Sequence, residues 1–147
     1  MPSLMDESKF VLLALRPNFA EAIYGRTKRF EFRRTRVSIV SSDIILVYET
    51  APISSITGSF VVGRVVQGKP EVIVTLEPDQ ANRKAVEQYL AGAKVASAIE
   101  VTQVTRWHRS VPLSEILPGT KPPQSYIFPR SSDYGILRNC ETSRATF

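Results

Sequence analysis

Apolar positions in this chain fall in short dense runs cut by turn-forming residues. Phe10 to Leu15 is unbroken apolar sequence and stops at Arg16-Pro17, which predicts a buried first strand. Pro17 suits the first turn of a helix, Phe19, Ala22 and Ile23 share a face, and Gly25 fits the stop. Pro17 to Tyr24 is therefore predicted to be a short helix. Arg29 to Arg36 alternates, with Phe30 and Phe32 pointing one way and Arg29, Glu31 and Arg33 the other. That is the pattern of a half-buried strand whose charged face meets solvent or a cleft.

Asp43 to Glu49 is aliphatic with Tyr48 near its end, a second buried strand, and Ala51 to Gly58 reads as a Pro/Ser/Gly loop. Ser59 to Gln67 is valine-rich and strand-like, with Gly63 marking a bulge or a close backbone approach. In Asp79 to Gly92 the residues Ala81, Ala85, Val86, Tyr89 and Leu90 recur at helical spacing. Ala96 to Trp107 returns to strand composition, Leu113 to Leu117 reads as a helical turn, and Pro118 to Pro123 is a loop delivering Gln124 to Phe128. Met1 to Lys9 is a polar leading segment. Pro129 to Phe147 is polar and aperiodic, so it reads as a mobile tail. Strands dominate, and their spacing suits a barrel better than alternating βαβ units. The expected fold is α+β: a small, mostly antiparallel β-barrel of five to six strands with flanking helices, spanning residues 10–128.

Composition narrows the class. Hydrophobic residues make up 43% and charged ones 22% of the 147, which excludes wholesale disorder. The apolar runs are far shorter than the roughly 20 residues of a membrane span, and the polar opening does not read as a signal peptide. One cysteine, Cys140, closes no internal disulfide, and one histidine, His108, founds no Cys/His zinc site. The expectation is a soluble cytoplasmic domain with no metal, no cofactor and no membrane partner.

Charge changes the picture more. The net charge is +5, and the stretch from Arg26 to Arg36, with six cations (Arg26, Lys28, Arg29, Arg33, Arg34, Arg36) against Glu31 alone, holds the whole excess. Such a concentration suits an anion-facing surface. A solvated basic strand that protects a sheet edge is the plainer alternative. No Walker loop, Gly-x-Gly-x-x-Gly or EF-hand pattern occurs, which disfavours nucleotide triphosphatases and dinucleotide oxidoreductases.

A family resemblance rests on an ordered set of motifs. Leu15-Arg16-Pro17, Gly25-x-x-Lys28-x-x-Glu31-x-Arg33, Tyr48 before a Pro/Ser loop, and Ile56-x-Gly58 resemble an ASCH domain, a small β-barrel of the PUA-like superfamily. Tyr89-x-x-Gly92, Ala98-Ile99-Glu100-Val101, Pro112-Leu113-x-Glu115 and Pro122-Pro123-Gln124-Ser125-Tyr126 are similar to downstream motifs of one branch. The resemblance implies a cleft beside the first helix that holds RNA, another single-stranded nucleic acid or a nucleobase. Some members are hydrolases, either ribonucleases or amidohydrolases acting on a modified cytidine. Those amidohydrolases carry threonine where Glu31 stands. A nucleic-acid-binding module, most naturally for RNA, is the first reading and a small hydrolase the second; a protein partner is unknown.

Lys28 is a candidate phosphate contact or catalytic lysine, and otherwise an exposed turn residue. Glu31 can act as general base or accept hydrogen bonds from a base or ribose, and otherwise pairs with Arg29 or Arg33. Side chains three apart on a strand face opposite ways, so the two share a cleft only if Lys28 belongs to the preceding turn. Arg33 lies on the face of Glu31 and can fork onto phosphate or orient the carboxylate. Tyr48 and Tyr126 are candidate stacking platforms or core residues. Ser125 is a candidate nucleophile or phosphate contact, or a turn cap. Arg26, Arg29, Arg34, Arg36, Arg106 and Gln124 complete the candidate nucleic-acid surface. Lys28, Glu31 and Ser125 are expected around one cleft with Tyr126 in its wall. His108 has no carboxylate close in sequence, so a Ser-His-Asp triad has no support.

Overall fold

A computed structural model describes residues 8–144. The elements run β1 (Phe10–Leu15), α1 (Pro17–Tyr24), β2 (Phe30–Arg33), β3 (Ile44–Glu49) and β4 (Ser55–Gly68). A helical turn α2 (Pro70–Ile73) leads to α3 (Gln80–Leu90), β5 (Ala96–Pro112), α4 (Leu113–Ile116), β6 (Tyr126–Ile127) and α5 (Tyr134–Arg144). The strands form one sheet in the order β2-β5-β4-β3-β1-β6. Only β1 and β3 pair in parallel, the crossover between them carrying α1 and β2; every other neighbouring pair is antiparallel. The result is the expected mostly antiparallel, barrel-like sheet with flanking helices.

β1 is apolar throughout because it is covered on both faces. Val11, Leu13 and Leu15 join Ala20 and Ile23 of α1 in one core cluster. Phe10 and Leu12 enter a second cluster with Leu46, Tyr48, Ile56 and Trp107. Phe30 and Phe32 enter a third with Ile73, Leu90, Ala96 and Ala98. The alternation in β2 thus separates an apolar face from Glu31 and Arg33.

The long β4–β5 pair shifts register in several places, and these irregularities let the two strands coil. One shift lies between Val62 and Val65, around Gly63, where an added Cβ would come within 2.4 Å of the Glu100 carboxylate. Both features anticipated for that glycine are present. β4 begins at Ser55 rather than Ser59, because Ser55 and Ile56 pair with Pro112 and Val111 on an extended β5. The expected loop at 51–58 is correspondingly shorter. β2 stops at Arg33, since as an edge strand it finds partners only from Ser97 to Glu100.

The polar tail requires a correction. Residues 134–144 form α5, Leu137 is fully buried in the second core cluster, and the Tyr134 hydroxyl accepts from Phe10 N–H at 3.2 Å. Glu141 accepts hydrogen bonds from Ser59 Oγ and from Trp107 Nε1, the latter at 2.6 Å. Tyr134 and Cys140 pack beside Leu137, with the Tyr134 ring edge-on to Phe10, so the docking face mixes apolar and polar side chains and shows no plain apolar period. Residues 1–7 and 145–147 lie outside the described residues.

Candidate functional site

The site begins where α1 ends. Gly25 follows the helix, Arg26 takes a left-handed conformation at φ 63°, and Thr27 and Lys28 N–H both donate to Ala22 O at 3.0 Å. This winding leaves Lys28 in the turn before β2, the placement that allows it to share a side with Glu31. Lys28 Nζ is 3.3 Å from Glu31 Oε1, and Arg33 Nη2 is 2.8 Å from Glu31 Oε2. Glu31 is only 6% exposed. One buried carboxylate therefore holds two cations, which offsets the cost of desolvating all three.

Arg33 extends the network across the open side of the barrel. Its Nη1 donates to Ser125 Oγ at 3.1 Å and its Nη2 to Ala14 O at 3.4 Å, while its buried Nε has no hydrogen-bond partner. β2 and β6 share no backbone ladder, so Arg33 on β2 and Ser125 just before β6 bridge the seam by side chains. Ser38 N–H, donating to the Tyr126 hydroxyl at 3.1 Å, is a second tie across it.

A cavity of about 500 Å³ opens over this network, with Lys28, Glu31, Arg33 and Gln124 among its polar lining. Phe19, Phe32 and Tyr89 supply aromatic surface, and Leu15, Ala85 and Val86 add aliphatic surface. The Lys28 ammonium lies 5.5 Å from the Phe19 ring centre and 5.9 Å from that of Phe32. The volume is that of a small-molecule or single-nucleotide site. Chemically it offers a carboxylate acceptor, three cations (Arg16, Lys28 and Arg33) and aromatic faces around one open cavity.

The remaining candidates are distributed around this centre. Ser125 reaches the Lys28–Glu31 pair through Arg33 rather than by touching it. Tyr126 is not in the cavity lining; it packs against the first core cluster and meets the Phe128 ring edge-on. Tyr48 is buried in the second cluster, because its parity on β3 is that of Leu46. Arg26 and Arg29 line a second cavity that shares Lys28 with the first. Arg34 donates to Ala91 O at 3.1 Å, and Arg36 is exposed. Arg106 makes a forked pair with Glu21 of α1 at 2.6 and 3.1 Å and covers the Tyr24 ring.

Several cavity residues have sequence contexts that point elsewhere. Tyr89 belongs by period to the apolar face of α3, yet only Leu90 of that face is buried and Tyr89 is 48% exposed beside the cavity. The signal in the sequence is the Tyr89-x-x-Gly92 motif, since the slight burial of α3 is legible only in the structure. Phe19 is 43% exposed for a similar reason: Ala20 and Ile23, not Phe19, carry the packing of α1.

On the other side of α1, the Tyr24 hydroxyl shares a 2.6 Å hydrogen bond with Thr57 Oγ1. Burial pushes the Tyr24 phenol well above its ordinary range, and the Glu49 charge adds to this, whereas the Thr57 bond and Arg106 oppose it. Gly58 admits this contact, since an added Cβ would lie 2.7 Å from the Tyr24 hydroxyl and 2.3 Å from Thr105 O. Among the described residues no three His, Cys, Asp or Glu side chains gather as a metal site. No described helix is long and apolar enough to cross a membrane.

No family model matches the chain. A curated ASCH domain-containing ribonuclease from Zymomonas mobilis subsp. mobilis is 27% identical over 137 residues, covering 88% of this chain and 90% of its own length. The crystal structure of ASCH from Zymomonas mobilis is similar with a TM-score of 0.76 and 26% identity, covering 89% of this chain and 94% of that one. A tyrosine-to-phenylalanine variant of the Zymomonas protein gives a TM-score of 0.78 at 26% identity, with 89% and 97% covered. The N-terminal domain of Staphylothermus marinus McrB, at 8% identity and a TM-score of 0.58 over 95% of this chain and 98% of that one, shares the fold alone.

Proposed function

We propose that the chain is an ASCH domain, like the Zymomonas proteins it resembles, and that it binds single-stranded RNA, with one nucleotide seated in the cavity over Glu31. The observation that carries this reading is a buried carboxylate clamped by Lys28 and Arg33 beneath aromatic walls. Glu31 accepts hydrogen bonds from the base edge or a ribose hydroxyl, which gives discrimination. Phe19 and Tyr89 offer exposed faces on which any base stacks. Lys28 and Arg33 sit where a phosphate or a developing negative charge is balanced. One cysteine in the whole chain suits a cytoplasmic setting.

The name of the Zymomonas relative favours a second reading, in which the bound RNA is also cleaved. In that case Glu31 takes the proton of the ribose 2′-hydroxyl, the freed oxygen bonds to the adjacent phosphorus, and the bond from phosphorus to the 5′-oxygen breaks. Lys28 and Arg33 stabilise the charge on the phosphoryl oxygens and Lys28 returns a proton to the leaving oxygen. Ser125 acts as a positioning residue through Arg33.

The test incubates labelled single-stranded RNA with the wild type and Lys28→Ala, with and without a divalent metal ion. Wild-type binding that weakens at least tenfold in Lys28→Ala supports the reading; equal binding by both proteins overturns it. Shortened products from the wild type that vanish with Lys28→Ala establish cleavage as well.

A further inference from the structure

The second cavity, of about 330 Å³, is open beside the first and is lined by Ile23, Arg26, Lys28, Arg29 and the β5 segment Val101 to Val104. Three of its lining residues are cations and none is an anion. Two depart from ordinary backbone geometry: Arg26, in the turn after α1, has φ 63° and Gln103, on β5, φ 45°, both left-handed. Gln103 lies where β5 loses register with β4, between the pairings of Thr102 with Val61 and Thr105 with Ser59. Backbone held in such conformations costs free energy and tends to persist where a site requires it.

The cations differ in what already occupies them. Lys28 is taken up by Glu31 at 3.3 Å. Arg26 and Arg29 form no ion pair among the described residues, and both are exposed. Glu100, next to Val101 in the chain, is forked by Arg64, and those hydrogen bonds first and the Arg29 charge last hold its carboxyl below the usual range. The strand boundary of the cavity, Val101 to Val104, contributes no charge. The second cavity is thus a concave site with two arginines outside any ion pair among the described residues, sharing one lysine with a nucleotide-sized cavity.

We infer that the second cavity is a subsite for the phosphate of a nucleotide adjoining the one over Glu31, so that the ligand class is a polynucleotide strand and not a free nucleoside. This rests on the RNA-binding reading and extends it. A strand with one base in the first cavity passes Lys28 on leaving it and brings its next phosphodiester to Arg26 and Arg29. Guanidinium groups match a phosphodiester through parallel hydrogen bonds. The subsite contributes affinity without base preference, because phosphate contacts position a strand and base contacts specify it.

The experiment compares the wild type with Arg26→Gln/Arg29→Gln, using an eight-nucleotide single-stranded RNA and an uncharged free nucleoside as probes over a range of salt. The double variant is expected to bind the oligonucleotide at least tenfold more weakly, with a salt slope shallower by about 0.7 for each phosphate that is no longer neutralised. Its nucleoside affinity is expected to stay within twofold of the wild type. Oligonucleotide affinity within twofold of the wild type overturns the subsite, and so does an equal weakening for both probes. Should the wild type bind no RNA, the RNA reading fails by itself, and inorganic pyrophosphate then decides the cavity. Amide shifts confined to Arg26 and Gln103, and abolished in the double variant, retain it as an oligophosphate site, whereas no shift removes it.

Discussion

Glu31 accepts two cations with one carboxylate, and that makes Glu31→Gln an informative substitution. Removing the charge leaves Lys28 and Arg33 close together without compensation, which is expected to lower stability by about 1–3 kcal/mol, read from the urea midpoint. Electrostatics alone would raise RNA affinity, since the surface gains a net positive charge. If Glu31 contacts the base or ribose, affinity falls instead, and a binding titration at fixed salt separates the two directions. Tyr24 supplies a prediction in pH. Its raised folded-state pKa means that the stability it contributes is complete below the unfolded phenol value of about 10 and is lost as pH rises through the folded value. Relative to Tyr24→Phe, the wild type should therefore be more stable by about 0.5–1.5 kcal/mol at pH 8 through the Thr57 bond, and that advantage should shrink above pH 10. An advantage that stays constant between pH 8 and pH 11 would mean that the phenol is not buried in solution.

At the scale of elements, α5 tests how a mostly polar helix docks. Leu137→Ala removes the one fully buried aliphatic side chain that this helix gives to the second core cluster, and a destabilisation of about 2–5 kcal/mol is expected in chemical denaturation. A change below about 0.5 kcal/mol, the range of ordinary surface substitutions, would show that the helix does not hold its place in solution. The contrast between α5 and β1 explains what was legible in the residues. β1 announces itself because six successive apolar side chains fill two core clusters, and α1 because Pro17 and Gly25 punctuate it. The requirement that Lys28 precede β2 followed from the two-residue period of a strand. By contrast, the Arg33–Ser125 bond joins residues 92 positions apart, and no local pattern encodes it. Tyr48 and Tyr126 show the same limit: the family motif marks both, yet parity on β3 and packing against the first core cluster turn them from the cavity. A docking face with one fully buried leucine flanked by a tyrosine and a cysteine leaves only a faint period to detect.

For the molecule as a whole, the charge asymmetry is the feature with the longest reach. Arg34 and Arg36 lie outside both cavities, so reversing both to glutamate leaves the cavity linings in place while removing local positive potential. RNA affinity should fall and its dependence on salt flatten, because fewer counterions are released; an unchanged salt slope would reduce these two arginines to a solubility role. The seam between β2 and β6 adds a different kind of constraint. Arg33 spends its donors on Glu31, Ser125 and Ala14, so a ligand that claims this guanidinium competes with bonds that hold β6 in place. β6 itself is attached to β1 by only two residue pairs. Occupancy and seam closure are then linked equilibria: whatever tightens the seam weakens a ligand that takes Arg33, and such a ligand loosens the seam by the same free energy.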